Sequence, residues 1–130
     1  AVLAAGCATS GGVSDEDLAS KWLQDFKGAI ESKALDSFME MVSADFAHDG
    51  YEYSAENKAQ FRAFNEAGIA EGTWDGVDLD LSGVEIGIDG NTATLYPIGW
   101  TVSEGSVTIE AVLKKEGAVY RLIDLSVEGL

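Results

Sequence analysis

The apolar positions repeat with two different periods, and the change falls near residue 74. Leu18, Trp22, Leu23, Phe26, Ala29 and Ile30 fall three and four apart and share one stripe of a helix. Ser14 precedes Asp15-Glu16-Asp17: its hydroxyl can cap free N–H groups, and the acids suit the positive end of the helix dipole. This spacing predicts a helix over 15–31. Leu35, Phe38, Met39 and Val42 share a face of a second helix over 33–44. With Ser54 as its cap, a third is predicted over 55–70, Phe61, Phe64, Ala67 and Gly68 facing inward and Gly68 and Gly72 marking its end. Between the last two, Phe46 to Tyr53 (FAHDGYEY) reads as a short strand or an extended hairpin around Asp49-Gly50.

From Val77 the period is two. Val77, Leu79 and Leu81 alternate with Asp78, Asp80 and Ser82, and Val84, Ile86 and Ile88 continue in the opposite phase. One extra residue at Ser82-Gly83 restores the facing, so a β-bulge is predicted there. Asp89-Gly90-Asn91 is a turn. The next strand, Thr92 to Val102, changes phase near Tyr96-Pro97, because Ala93 and Leu95 are odd whereas Ile98, Trp100 and Val102 are even. Glu104-Gly105-Ser106 and Glu116-Gly117 turn the chain into two further strands, 107–113 and 119–127. The expectation is a four-stranded antiparallel meander, kinked and therefore curled, with three helices across its concave face: an α+β cone with a mouth.

Length and charge narrow the class. At 130 residues, 46% hydrophobic and 24% charged, the chain has the balance of an ordinary globular domain. It buries about two-thirds of its unfolded surface without needing disulfides. The single cysteine, Cys7, excludes an internal bridge. Acidic residues number 23 against 8 basic, a net charge of −15 that is spread over both halves, so it is an acidic surface rather than a tail. Such a field repels phosphate backbones and argues against nucleic acid as a partner. No stretch reaches the ~18 apolar residues of a membrane span.

Leu3-Ala4-Ala5-Gly6-Cys7 resembles the end of a bacterial lipoprotein signal, the lipobox, with Ala where Leu is more usual three residues before the Cys. Ala8 to Ser14 (ATSGGVS) follow as a small, uncharged tether. The alternative is a frayed N-terminus with an incidental cysteine. Residues 1–14 are thus read as signal remnant, lipobox and tether, and residues 15–130 as one domain. The resemblance implies lipidation of Cys7 and a cell-envelope location on the periplasmic side, with Ala8 suggesting the outer membrane. Contact with the membrane is then through the lipid anchor only, and mass spectrometry of the host's membrane fraction tests it.

The order of elements, with ALDSFMEMVSADFAHDG (34–50), KAQFRAF (58–64) and AVLKKEGAVYRLIDLSV (111–127), resembles the NTF2-like superfamily, in particular its SnoaL-like and DUF4440-type domains. That resemblance spans about residues 15–128. It implies a cystatin-like cone whose interior is the ligand site, and an acid, a His or a Tyr inside it in the catalytic branches. His48-Asp49-Gly50 falls where the isomerase branch holds its base, so Asp49 is the transferable candidate. A carboxylate in an apolar cone has a raised pKa, as a base working near neutrality needs. The alternative is that Asp49-Gly50 is merely a turn.

His48, the only histidine, is a second catalytic candidate, but adjacent strand residues point to opposite faces, so His48 and Asp49 do not share a substrate. The aromatic residues Trp22, Phe26 and Trp100, with Asp49, are the expected ligand-lining set, against the reading that they simply fill the core. Asp124, Glu104 and Glu110 are each either exposed or cavity-facing. The sequence carries no phosphate loop, no G-x-S-x-G elbow and no HExxH helix, and a lone His without Cys partners implies neither metal nor cofactor. Two functions stay open: a non-catalytic binding domain for a small apolar molecule or a protein partner, and a small lyase, isomerase or hydrolase using Asp49. Val112, Tyr120 and Leu122 fall on the alternate phase of the last strands, so both sheet faces read as covered, and a homodimer through the outer face is expected.

Overall fold

The computed structural model describes residues 13–129. Cys7 and its lipobox lie outside that range. The first helix, α1 (Asp15–Glu31), has the predicted bounds, and the Ser14 hydroxyl accepts from the Asp17 N–H at 3.0 Å. Its inner stripe is Ala19, Trp22, Leu23, Phe26, Ala29 and Ile30. The second, α2 (Leu35–Glu40), stops four residues short of the expected end. Past it, the Leu122 N–H donates to the Met41 carbonyl and the Ser43 N–H to the Leu122 carbonyl, both at 2.8 Å. These bonds to the last strand take the groups that another helical turn would have used.

A small hairpin follows, β1 (His48–Asp49) pairing with β2 (Ser54–Ala55) around a Gly50–Tyr53 turn. The third helix, α3 (Lys58–Ala70), is capped by Asn57, whose side chain accepts from the Gln60 N–H at 2.9 Å. Ser54, the expected cap, is a strand residue instead. The helix is also rotated relative to the expectation. Phe61 is buried, but Phe64 is 49% exposed and Asn65 takes the inward place one turn after Phe61. Ala67 is exposed.

Five strands complete the chain: β3 (Asp78–Asp80), β4 (Glu85–Asp89), β5 (Thr92–Val102), β6 (Gly105–Glu116) and β7 (Val119–Glu128). The sheet is antiparallel, in the order β3-β5-β6-β7, with β4 pairing to the other end of β5 on the side that β3 occupies. So β3 and β4 are one expected strand cut in two. The break is a turn rather than a bulge, because the Asp80 carboxylate accepts from both the N–H (3.0 Å) and the hydroxyl (2.7 Å) of Ser82. The expected kink at Tyr96-Pro97 is present as a register shift between Leu95 and Ile98.

A second shift, at Ile123 in β7, falls where the sequence showed no break. It reverses the facing, so the inward residues are Tyr120, Leu122, Leu125 and Val127. Tyr120 and Leu122 therefore belong to the core, not to the outer sheet face on which a dimer was expected to form. The core sits between the concave sheet face and the helices, with Phe26, Phe38, Phe46, Phe61, Leu95, Ile98, Leu113 and Leu122 fully buried. No described helix is long and apolar enough to cross a membrane.

Candidate functional site

The cone holds a cavity of about 730 Å³. Its floor is Phe26 and Ile30 of α1, Phe38 of α2, Phe61 of α3 and Ile109 and Leu125 of the sheet. Its mouth lies between the segment after α3 (Glu71 to Asp75) and the β5–β6 turn (Val102 to Val107). Beyond the register shift at Tyr96-Pro97, β5 brings Trp100 to the cavity lining. Trp74 meets Trp100 edge to face with ring centroids 6.1 Å apart. On the opposite wall Phe64 stacks on Tyr53 at 4.6 Å.

Two polar groups face this wall deep in the fold. The Tyr53 hydroxyl donates to the Leu125 carbonyl at 2.5 Å. Burial pushes its pKa far above the ordinary tyrosine range, and the charges of Asp124 and Glu52 add to the effect, so it stays protonated. The Asn65 amide nitrogen donates to the Phe61 carbonyl at 2.9 Å, while its carbonyl oxygen accepts from no group among the described residues.

Behind Tyr53 lies the His48 cluster. Its imidazole stacks on the Tyr53 ring at 4.3 Å and is held from both sides. Nδ1 lies 2.6 Å from Asp124 Oδ1, and Nε2 lies 3.1 Å from Glu52 Oε1. The other Glu52 oxygen accepts from the Val127 N–H at 2.8 Å. Burial by itself lowers the imidazole pKa, but the hydrogen bonds and charges of Glu52 and Asp124 outweigh it and hold His48 above its usual 6.5. For Glu52 burial works upward, yet the Val127 N–H and His48 prevail and bring its pKa down to about 2. Gly50 lets the cluster close: a Cβ there collides with Glu52 Oε1 and His48 Nε2. As an imidazolium His48 donates from both nitrogens, leaving neither for a substrate. Among the described residues no group of His, Cys, Asp and Glu side chains is arranged to hold a metal ion.

The cavity gathers some of the residues singled out from sequence and leaves others aside. Phe26 and Trp100 line it. Trp22 does not: it is buried, donates from Nε1 to the Met41 carbonyl at 3.1 Å, and lines a separate groove of about 560 Å³ between α1, α2 and the start of β7. The α1 stripe is wider than the cavity, so its N-terminal half packs elsewhere. Asp49 is exposed on the outer side of β1, outside the cavity, with Ser54 Oγ 3.5 Å from its Oδ1. Strand alternation sends His48 inward and Asp49 out, so the carboxylate expected to be a base in an apolar cone is solvated instead. Glu104 is on the rim, Asp124 is the His48 partner, and Glu110 is half-buried on β6. Sequence reasoning missed Asn65, which interrupts an apolar stripe, and Glu52, whose only signal was its place four residues after His48.

Solved structures of other proteins share this architecture. A protein with a cystatin-like fold from Nostoc punctiforme superposes with a TM-score of 0.70 at 16% identity, over 89% of this chain and 92% of that one. A candidate dehydratase of the NTF2-like family from Streptomyces avermitilis gives 0.71 at 11% identity, over 89% and 97%. The fold is the NTF2-like, cystatin-like cone. A de novo designed protein with a curved β-sheet has it too, with a TM-score of 0.68 at 15% identity over 85% and 99% of the two chains. The NTF2-like cone is thus a scaffold on which function is set by the lining of the individual cavity. No protein-family model and no curated protein matches the chain.

Proposed function

We propose that this NTF2-like domain is a binding module whose cone takes a small, largely apolar molecule without turning it over. The observation that carries the reading is the lining of the 730 Å³ cavity: a floor of Phe26, Ile30, Phe38, Phe61, Ile109 and Leu125 under an aromatic mouth. That volume lies within the range of small-molecule sites, and burying such a ligand's apolar surface supplies the driving force. The placement of the candidate catalytic groups supports this reading. The Asp49 base is outside the cone, and the His48 imidazole has both nitrogens engaged by carboxylates. The Tyr53 hydroxyl, already donating and held neutral, is no base.

The test is a titration with a panel of hydrophobic ligands, read by intrinsic tryptophan fluorescence and repeated with Trp100→Ala. Saturable changes that weaken by about 1 kcal/mol or more in the variant are expected, as for an aromatic anchor lining a desolvated pocket. Turnover of isomerase, dehydratase or epoxide-hydrolase substrates, abolished by His48→Gln or Asp49→Asn, overturns the binding-only reading.

A further inference from the structure

The charged groups around the cavity mouth are of one sign. Glu71, Asp75 and Glu104 line it, and no lysine or arginine does. Lys33 pairs with Asp75 at 2.5 Å, and neither Glu71 nor Glu104 has a cationic partner among the described residues. The α3 helix also ends at this mouth with no basic residue in its last turn, and the N–H groups of Glu71, Gly72 and Thr73 take the carbonyls of Ala67, Ile69 and Gly68 there. Deeper in, Asn65 is 7% exposed, and its carbonyl oxygen lacks a donor among the described residues while its nitrogen is used. Phe64, Trp74 and Trp100 line the same space, and aromatic faces attract cations within about 6 Å.

We propose that the ligand is an organic cation, an aromatic or alicyclic body carrying a protonated amine. This rests on the binding reading above and adds the ligand's chemical class to it. The body fills the apolar floor. The ammonium stays toward the mouth, where the carboxylates and the aromatic faces favour positive charge. An anion meets only repulsion on the same path, and the net charge of −15 adds to it.

Three probes with one body and different charge test the proposal: 2-naphthylmethylammonium, 2-naphthylmethanol and 2-naphthoate. Each is titrated calorimetrically into the protein at low ionic strength and again at about 0.5 M NaCl, where the Debye length falls to about 4 Å. The expected order is ammonium, alcohol, carboxylate, with the ammonium about tenfold tighter than the alcohol at low salt and the gap closing at high salt. Glu71→Gln combined with Glu104→Gln narrows the gap. Glu85→Gln combined with Asp89→Gln removes the same charge from exposed positions on β4, away from the cavity, and leaves the gap in place. An alcohol or carboxylate binding as tightly as the ammonium overturns the charge preference and leaves the cavity reading standing. A gap that narrows equally in both double variants overturns the role of the rim. No binding by any of the three overturns both readings.

Discussion

At His48 two carboxylates hold one imidazole from opposite sides, and the consequence is a defined dependence of stability on pH. The His48 pKa is raised, so its contribution is complete below about 6.5 and is lost as pH climbs through the higher folded value. Glu52 behaves in the opposite sense. Its pKa falls from 4.5 to about 2, so its contribution is complete above about 4.5 and is lost as pH drops toward 2. The cluster therefore supports the fold most between about pH 4.5 and 6.5. Urea midpoints measured across pH should peak in that window, and His48→Gln should flatten the decline on its alkaline side while lowering stability at pH 5.5. An unchanged alkaline limb in the variant assigns the decline to other groups. The residues of this cluster were only partly legible. His48 stood out as the sole histidine, and strand alternation placed it opposite Asp49. Glu52 and Asp124 became its partners only when the hairpin turn and β7 were brought together in space.

The elements show how an edge strand is covered. β7 pairs with β6 on one side only, and its other side is closed by non-strand chain. Leu122 exchanges backbone bonds with Met41 and Ser43, the Ile123 carbonyl accepts from the Ala47 N–H at 3.2 Å, and Glu52 caps the Val127 N–H. An open edge invites pairing with another chain, and this one is occupied along much of its length. The far edge is treated similarly, since the Leu79 N–H donates to Glu31 at 2.9 Å and its carbonyl accepts from Lys27 at 2.7 Å. The start of α3 carries an element-scale prediction. Because Asn57 rather than Ser54 caps the helix, Asn57→Ala should cost about 1 kcal/mol and Ser54→Ala much less, as read by chemical denaturation. The reverse order places the helix start where the sequence pattern first put it. Two candidate caps three residues apart look alike in a sequence, and the short β2 pairing at Ser54 decides between them.

For the whole molecule the dominant electrostatic fact is the excess of acid. With 23 acidic and 8 basic residues, most carboxylates have no basic partner, and their mutual repulsion opposes the compact state. The ion pairs that exist are largely exposed, such as Lys21–Asp25 and Arg62–Asp36, and each contributes little. Screening therefore removes more repulsion than attraction. Raising NaCl from about 0.02 to about 0.5 M should lift Tm by about 5 °C, corresponding to roughly 1 kcal/mol for a domain of this size. A fall in Tm over the same range gives the ion pairs more weight than the repulsion.

The sequence by itself determined the α+β class, the bounds of α1, the antiparallel order of the long strands and the kink at Tyr96-Pro97. These follow from local rules: the period of apolar residues, cap and turn chemistry, and the unsuitability of proline in a regular ladder. Only the tertiary structure decided which strand faces and helix faces look into the cone. The Ile123 register shift moved Tyr120 and Leu122 into the core, and the rotation of α3 exchanged Phe64 for Asn65 on its inner side. It also decided that Trp22 and Asp49 lie outside the cavity and that Trp74, Glu71 and Glu104 border it. The physical reason is that a period of two or of 3.6 fixes which residues share a face but not what that face meets. A single extra residue in a ladder inverts the facing of everything after it, and its position is set by the partner strand and the chain packed alongside.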